Sequence, residues 1–179
     1  MATSSLSRTP GSASNRRTFT ISAWVKRSNS LNGAANNQII SSGTYSSTQL
    51  FQTFFESDDT FYVSDYTSGG SKSFQLITTR KFRDISAYYH VCVAIDTPQA
   101  TPADRVKIYI NGVQETSFSE ATYPSQDFDC AFNLNQVHTI GNRNGASFYF
   151  KGNMSNIAAV DGAALAPTSF GEVDSTSGI

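Results

Sequence analysis

The clearest feature of the chain is a strict alternation of apolar and polar residues over several short segments. In residues 18–26 the apolar side chains that share one face of an extended strand are Phe19, Ile21, Ala23 and Val25. In residues 89–96 the same spacing groups Tyr89, Val91, Val93 and Ile95. A period of two predicts a β-strand with one buried face. Trp24 falls on the opposite face of the first segment, so we expect it half-buried beneath a loop or turned inward by a β-bulge.

Further short strands are predicted where similar runs are bounded by Gly, Asn, Ser and Asp. They cover residues 38–42, 49–55, 60–66, 73–79, 136–140, 148–150 and 154–160. The strongest local signal is Asn111 and Gly112 between residues 105–110 and 113–116, which predicts a hairpin closed by a type I′ turn. Residues 56–59 are predicted to form a solvated hairpin turn, and residues 166–172 one helical turn. No segment has the pattern of a long helix.

This spacing of strands predicts the fold class. Many short strands with tight hairpins and a few long loops are typical of an all-β fold in which two antiparallel sheets pack face to face as a jelly roll. A chain of 179 residues suits one such sandwich. Residues 18–179 form the predicted sandwich. Residues 1–17, which are rich in Ser, Thr and Arg, are predicted to form an N-terminal arm.

Composition and charge exclude several classes of function. The net charge of −1 offers no field for nucleic acid or for an anionic membrane, and no apolar run is long enough for a membrane span. We therefore expect no nucleic-acid partner and no membrane insertion. His90 and His138 show no zinc-ligand spacing. A chain of this length does not need a disulfide, so we expect Cys92 and Cys130 as free thiols, with a bond between them as the alternative.

Three segments, taken in order, resemble a known family. Residues 19–26 follow the pattern aromatic-T-apolar-S-x-W-apolar-K. Residues 89–96 and 106–113 follow a two-strand pattern that begins with W-H-apolar and ends with N-G, and Tyr89 stands in place of the Trp. Residues 140–165 follow the closing pattern, which is I-G and then aromatic-x-G-x-apolar. These patterns resemble the laminin-G-like domains of the concanavalin A-like lectin/glucanase jelly rolls. The resemblance implies a domain that binds a ligand more often than it catalyses a reaction.

A narrower resemblance covers both ends of that pattern. Residues 6–19, 24–27 and 160–172 are similar to modules in virion structural proteins of marine tailed bacteriophages, with the patterns L-S-R-T-P-x-S-x-x-N-R, W-V-K-R and V-D-G-x-x-L-x-P. It implies a non-enzymatic structural or adhesion module on the virion surface, as a head decoration or a tail-fibre component. Its partners would be other virion proteins, in a homo-oligomer or symmetric assembly, and host-surface glycans. A stand-alone carbohydrate-binding lectin is the alternative.

Concanavalin A-like folds also include glycoside hydrolases, whose retaining members need two carboxylates about 5–5.5 Å apart. The nearest match to an E-x-D-x-x-E strand is residues 56–61, where Phe61 takes the third acidic position. We therefore predict no enzyme activity and no catalytic residues, and a glycoside hydrolase is the less favoured alternative.

Calcium is the cofactor that laminin-G relatives often hold, through an Asp and loop carbonyls. Asp96 with Asp104, and Asp127 with Asp129, flank or occupy loops but lack the spacing of an oxygen-rich calcium site. We therefore predict no metal site and no cofactor, with a calcium site as the less favoured alternative.

A sugar-binding face is the ligand site that the residues themselves suggest. Aromatic rings stack on the apolar faces of sugars, and carboxylates accept hydrogen bonds from sugar hydroxyls. The candidate ligand-binding residues are Asp58, Asp59, Tyr62, Asp65 and Tyr66. The alternative is that Tyr62 and Tyr66 are ordinary cross-strand packing residues.

The N-terminal arm is the predicted protein–protein interface. Its residues of interest are Leu6, its chief apolar residue, and the basic residues Arg8, Arg16 and Arg17. Ordering the backbone costs about 1–2 kcal/mol per residue, which an arm with so little apolar surface does not offset by itself. We therefore expect these four residues to contact a neighbouring chain. The alternative is a solvated basic face.

Overall fold

The structure is a computed structural model that describes residues 4–28, 37–143 and 148–172. In chain order the strands are β1 (Leu6–Arg8), β2 (Thr18–Arg27), β3 (Asn37–Ser42), β4 (Leu50–Phe55), β5 (Thr60–Tyr66), β6 (Lys72–Lys81), β7 (Tyr89–Asp96), β8 (Val106–Ile110), β9 (Val113–Gln114), β10 (Phe118–Thr122), β11 (His138–Ile140) and β12 (Gly152–Asp161). Within the described ranges, the helical elements are two short 3-10 turns, Pro102–Asp104 and Pro167–Ser169.

The strands form two antiparallel sheets, as the alternation predicts. One sheet has seven strands in the order β1-β11-β3-β4-β5-β6-β10, and the other has five in the order β12-β2-β7-β8-β9. The two most regular strands, β2 and β7, are neighbours in the five-stranded sheet, with Phe19 opposite Ile95 and Ile21 opposite Val93. The predicted all-β sandwich is therefore confirmed.

Phenylalanine rings fill the space between the two sheets. Phe19 from β2 lies 4.9 Å from the Phe132 ring and 5.6 Å from the Phe51 ring of the opposite sheet. At the other end of the core, Phe55 packs against Phe82 at 5.2 Å. Each fully buried ring removes a large apolar area from water, which is the main force that holds two sheets together. Cys92 and Cys130 are buried free thiols, as expected.

The Asn111 and Gly112 hairpin is confirmed. The two residues link β8 and β9 with φ angles of 50° and 80°. A type I′ turn needs positive φ at both central positions, which Asn and Gly tolerate best. The Asn111 side chain also accepts a hydrogen bond from the His90 backbone N–H at 2.8 Å, so the turn is tied to the start of β7.

Some edge elements differ from the prediction. β1 and β10 are edge strands that the sequence pattern does not indicate, because an edge strand needs no continuous apolar face. Residues 148–150, predicted as a strand, lie outside both sheets, and Phe148 has a φ of 55°. The predicted helical turn at residues 166–172 is the 3-10 turn Pro167–Ser169.

Trp24 lies on the outer face of the five-stranded sheet. It is half-buried and stacks on the His90 ring at 5.1 Å. The segment after β12 crosses this face, where the Ala163 carbonyl accepts a hydrogen bond from the Thr20 hydroxyl at 2.7 Å. The Phe170 ring of the same segment lies 6.5 Å from His90. The outer face of the five-stranded sheet is therefore partly covered by the chain itself.

Candidate functional site

A continuous row of uncharged polar residues crosses the outer face of the seven-stranded sheet. Every strand contributes one residue, and each residue lies directly opposite the next in the strand pairing. In sheet order, this polar row is Ser7, Thr139, Ser41, Gln52, Ser64, Gln75 and Thr122. Side chains alternate between the two faces of a strand, so the apolar neighbours of these residues fill the core.

Hydrogen bonds join neighbours along the polar row. The Ser41 and Thr139 hydroxyls are 2.7 Å apart, and Gln52 Nε2 donates to Ser64 Oγ at 3.2 Å. The middle of the row is buried, with Gln52 only 4% exposed. The Asn142 carbonyl accepts from Thr139 Oγ1 at 2.8 Å, which places Asn142 over this part of the sheet.

Two buried side chains, one in the polar row and one beside it, have polar atoms that bond to no other described residue. Among the residues that the structure describes, Gln52 Oε1 has no hydrogen-bond partner, and neither has either polar atom of the Asn142 side chain. Buried polar groups in proteins are almost always hydrogen-bonded, because an unmade bond costs about 1–3 kcal/mol. These atoms therefore offer unused hydrogen-bonding capacity behind the accessible part of the face.

Tyr66 marks the point on the outer face of the seven-stranded sheet from which side chains reach the solvent. The Tyr66 hydroxyl donates to Gln75 Oε1 at 2.9 Å, and Gln75 Nε2 donates to Glu120 Oε2 at 3.0 Å. Lys72 donates to the other Glu120 oxygen, and this bond holds the pKa of Glu120 below its ordinary value. Burial raises the pKa of Tyr66, so its hydroxyl keeps its proton. The result is a chain of oriented donors and acceptors at the surface.

Aromatic rings and a cation form the other side of this surface. The Tyr45 and Tyr66 rings meet edge to face at 5.5 Å, and Tyr45 is 47% exposed. The Arg143 guanidinium lies 6.0 Å from the Tyr45 ring centroid. The outer-face site is defined here as Tyr45, Tyr66, Lys72, Gln75, Glu120 and Arg143, with Gln52 behind them.

The structure separates the five residues predicted as a sugar-binding face. Tyr62 and Tyr66 do point to the outer face of β5, but Tyr62 stacks on Phe54 at 4.8 Å while Tyr66 packs on Tyr45. Burial, followed by the negative charge of Glu56, raises the pKa of Tyr62. The cross-strand packing alternative thus describes Tyr62 well, and Tyr66 belongs to the outer-face site.

The three aspartates of that prediction have partners within the chain. Asp58 accepts a hydrogen bond from the Thr60 hydroxyl and pairs with Lys81 at 3.2 Å. Burial pushes the pKa of Asp58 upward, but these contacts outweigh burial and the pKa lies below its ordinary value. Asp59, expected in a solvated turn, is instead 5% exposed and pairs with Arg27.

Asp65 lies on the inner face of β5, opposite to Tyr62 and Tyr66. It is fully buried, and its Oδ2 accepts a hydrogen bond from the Ala131 N–H at 2.7 Å. Burial raises the pKa of Asp65 to about 7. The five predicted residues therefore do not share one surface, and their role as ligand contacts stays a prediction.

Two of the four predicted interface residues, Leu6 and Arg8, lie on the edge strand β1, and the other two, Arg16 and Arg17, lie just before β2. Leu6 is 69% exposed on the edge strand β1, and Arg8 is exposed on the same strand. Arg16 is held by the Cys130 carbonyl at 2.7 Å and the Gln49 side chain at 2.6 Å, so it anchors the arm to the sandwich.

Arg17, the fourth of these residues, pairs with Asp129 at 2.8 Å and with Asp127 at 3.5 Å. Two open grooves of about 540 and 610 Å³ flank β1, and both include Leu6 and Ile140. Polar contacts rather than apolar packing hold the arm, and contact with a neighbouring chain stays a prediction.

No metal-binding cluster is present in the described ranges. No three His, Cys, Asp or Glu side chains among these residues lie together as ligands. Asp96 accepts hydrogen bonds from Thr18 and Gln99, and Asp104 pairs with Lys107 at 3.0 Å. Each candidate calcium ligand thus has a partner in the chain.

Most of the outer-face site was missed from the sequence. Gln52 and Gln75 lie in predicted strands, and their alternation with Phe51 and Phe74 does indicate that they point away from the core. Their meeting in one row depends on the register between strands that are far apart in sequence. Tyr45 and Arg143 lie in loops, where no periodic pattern exists.

A jelly roll whose outer sheet face combines amides, hydroxyls and exposed aromatic rings is a lectin-type binding fold. Comparison with known families agrees: the chain belongs to the Concanavalin A-like lectin/glucanases superfamily, whose family model matches residues 2–168. No curated protein sequence matches the chain. None of the helices in the described ranges is long and apolar enough to cross a membrane.

Solved structures show the same fold at low sequence identity. A heptameric SAP-like pentraxin from Limulus polyphemus is 18% identical, with a TM-score of 0.59 over 97% of this chain and 76% of the pentraxin. The CBM40 module of the Ruminococcus gnavus IT-sialidase, bound to alpha2,3 sialyllactose, is 15% identical, with a TM-score of 0.59 over 92% of this chain and 96% of the module.

Domains LG4-5 of mouse laminin alpha1 are 9% identical, with a TM-score of 0.54 over 87% of this chain and 40% of theirs. At such identities these likenesses show the fold alone.

Proposed function

We propose that this chain is a non-enzymatic adhesion module on the virion of a tailed phage, and that it binds glycans through the outer-face site. The observation that carries the glycan part is the hydrogen-bonded chain of Tyr66, Gln75, Glu120 and Lys72 at the end of the polar row, beside the exposed Tyr45 ring. This arrangement combines the two things that sugar recognition requires, an apolar platform and oriented polar groups.

The chemistry of each part fits a sugar. The Tyr45 ring offers a face to the C–H groups of a pyranose. Gln75 and Glu120 are held in fixed orientations by Tyr66 and Lys72, and the partly exposed Glu120 carboxylate can take hydrogen bonds from sugar hydroxyls. Pre-oriented groups bind more tightly because less side-chain entropy is lost.

The structural neighbours support the ligand class. The Ruminococcus gnavus module was solved with sialyllactose bound, and pentraxins and laminin domains share the same fold. A fold does not determine a ligand, so the side chains of the site, and not these proteins, support the proposed ligand class.

A non-enzymatic role is supported by the carboxylates. The outer-face site contains a single carboxylate, Glu120, and its pKa is lowered by Lys72. Glycoside hydrolysis needs two carboxylates, one of which keeps its proton near neutral pH. Asp65 has a raised pKa but is buried in the interior, away from the outer face.

The virion assignment is supported by the three segments that resemble phage modules, residues 6–19, 24–27 and 160–172. In the folded chain the first and last of these segments meet, because Asp161 Oδ1 accepts a hydrogen bond from the Asn15 N–H at 3.1 Å. The first of these segments includes the edge strand β1. This edge, with the exposed Leu6, is the surface proposed for contacts with other virion proteins.

A glycan array with the purified chain tests the binding part. We expect binding to a subset of glycans, and Tyr45→Ala and Gln75→Ala should each weaken it roughly fivefold to tenfold, the usual contribution of a stacked ring or a hydrogen bond. Tyr88→Ala is a matched control, because Tyr88 is 45% exposed but packs beside Lys26 on the other sheet. Equal losses in Tyr45→Ala and Tyr88→Ala would reject the site.

A labelling experiment tests the virion part. Antibodies against the chain should decorate intact phage particles at symmetry-related positions in electron micrographs. If glycan binding is found but no particle carries the chain, the stand-alone lectin is the better description. Release of reducing ends from a bound glycan would favour the glycoside hydrolase.

A further inference from the structure

Arg143 is held in an unusual position within the outer-face site. Its guanidinium carbon lies 4.0 Å from the Phe148 ring centroid and 6.0 Å from the Tyr45 ring centroid. The side chain is half-buried, so much of its hydration has been removed. A guanidinium stacks on rings through its flat faces, which leaves the N–H groups at its edge available.

The N–H groups of Arg143 have no carboxylate partner among the residues that the structure describes. Every ion pair of those residues uses another cation, including Arg17, Arg27 and Lys72. No hydrogen bond between described residues uses the Arg143 guanidinium either, and burial lowers its pKa, which reflects the cost of keeping a desolvated charge. A half-buried cation without a counter-charge favours an anion from outside the chain.

We infer that the outer-face site takes acidic glycans, and that Arg143 binds the carboxylate or sulfate group of the sugar. This inference rests on the proposed glycan binding at the same site. The planar guanidinium presents pairs of parallel N–H donors that match the two oxygens of a carboxylate or sulfate. The neighbouring Tyr45 and Tyr66 rings then contact the sugar that carries the anion.

The charges around the site orient such a sugar. Glu120 lies on the far side of Tyr66 from Tyr45 and Arg143, linked to Tyr66 through Gln75. Lys72 already neutralises that carboxylate, so this end offers an anionic group no unpaired cation, while the carboxylate oxygens accept hydrogen bonds from hydroxyls. The anionic group is therefore directed toward Arg143 and the hydroxyl-bearing end toward Gln75 and Glu120.

The test uses matched pairs of sugars that differ only in charge. The probes are uronic-acid oligosaccharides and the same oligosaccharides after reduction of their carboxylates to alcohols, together with a sulfated galactan oligosaccharide and its desulfated form. Calorimetry with the full chain should show at least about tenfold tighter binding of the acidic member of one pair, the usual effect of a charge-assisted bidentate contact. The two pairs separate a carboxylate ligand from a sulfate ligand.

Variants of Arg143 connect that preference to the residue. Arg143→Gln should abolish the preference for the acidic member, and Arg143→Lys should keep part of it, because an ammonium retains the charge but loses the planar donors. Arg83→Gln is the control, because Arg83 is exposed but lies far from the site. The backbone N–H of its neighbour Phe82 donates to the Asp59 carbonyl, at the opposite end of β5 from Tyr66. The preference should also fall as salt is raised.

The outcomes separate the two proposals. Equal binding of both members of each pair would overturn the acidic-glycan inference and leave glycan binding intact. An acidic preference that survives in Arg143→Gln would also overturn the role of Arg143. Absence of binding to any glycan would reject the proposed function, and the inference with it. Thermal unfolding of each variant checks that a lost preference is not a lost fold.

Discussion

Arg27 and Asp59 form an ion pair that is closed off from solvent, with 2.8 Å between Nη1 and Oδ1 and side chains 0% and 7% exposed. Arg27 ends β2 of the five-stranded sheet, whereas Asp59 lies in the turn between β4 and β5 of the seven-stranded sheet. The guanidinium also lies over the Phe55 ring at 4.9 Å. The pair therefore joins the two sheets at one end of the core.

Removing the carboxylate of this pair should be costly. Asp59→Asn leaves the buried Arg27 charge without compensation, and we expect it to lower the free energy of unfolding by about 3 kcal/mol or more. The neighbouring Asp58→Asn is the control, because the Asp58 and Lys81 pair is exposed and should contribute only about 1 kcal/mol or less. Urea denaturation of both variants measures the difference. Similar losses would mean that the buried pair does not hold the sheets together.

Asp65 should make the fold less stable as pH rises from about 4 to about 7. Burial raises its pKa from 3.8 to about 7, so the folded chain binds a proton between these values that the unfolded chain has lost. The free energy of unfolding therefore decreases as pH rises from about 4 to about 7, by up to about 4 kcal/mol from this group.

The Asp65→Asn variant isolates that contribution. Its side-chain oxygen can still accept the Ala131 N–H, but it carries no charge. We expect Asp65→Asn to be more stable than the parent chain at about pH 8 and to lose this advantage near pH 4. A stability difference that does not change with pH would contradict the titration of Asp65.

His138 should have the opposite effect at acidic pH. Its Nε2 accepts a hydrogen bond from the Asn133 N–H at 3.0 Å, so Nδ1 carries the proton and donates to the Gln136 carbonyl at 2.8 Å. A second proton would remove the acceptor for Asn133, and burial lowers the pKa of His138. Because the folded state prefers the neutral ring, stability should fall as pH drops below the ordinary histidine pKa of about 6.5.

His90 provides the comparison for this prediction. Burial also lowers the pKa of His90, but its Nε2 partner is the Ser22 hydroxyl at 2.8 Å, which can either donate or accept. We therefore expect His138→Gln to flatten the acid-side loss of stability more than His90→Gln does, in unfolding curves between about pH 5 and pH 7.5. The reverse order would show that the Asn133 contact is unimportant.

Gly43 should be required for the loop that carries Tyr45. Its φ is 90°, and a Cβ placed there would lie 1.9 Å from the Gln49 backbone carbonyl oxygen. Gly43→Ala must therefore move the backbone of the loop, and we expect a loss of about 2 kcal/mol or more together with weaker glycan binding through Tyr45. Gly11→Ala is the matched control, because a Cβ there meets no atom within 4 Å. Thermal unfolding and the glycan array measure the two effects.

The sequence predicts the features of the fold that depend on local interactions. The inward faces of β2 and β7 could be predicted because the period of two is a property of each strand alone. The same period places Asp65 with Phe61 and Val63, opposite to Tyr62 and Tyr66, so the strand itself indicates that the predicted sugar-binding residues do not share a face.

The polar row depends on relationships that the sequence does not encode locally. Ser41 lies opposite Gln52 only because an irregularity between Gln38 and Ile40 shifts the register of β3 against β4. Strand register is set by the packing of the whole sheet. Arg143 reaches Tyr45 across almost a hundred residues of chain, and no spacing rule connects two loops.

Trypsin should cleave the N-terminal arm at different rates after Arg8 and after Arg16. Arg8 is exposed on the edge strand β1, so cleavage after Arg8 should be fast in the free chain and slow in an assembled particle, where a neighbouring chain covers or pairs with that edge. The Arg16 side chain is already held by Cys130, Gln49 and Asp129, so cleavage after Arg16 should be slow in both states. Mass spectrometry of timed tryptic digests measures both rates. Equal cleavage after Arg8 in the free chain and in the particle would reject the arm as an intersubunit contact.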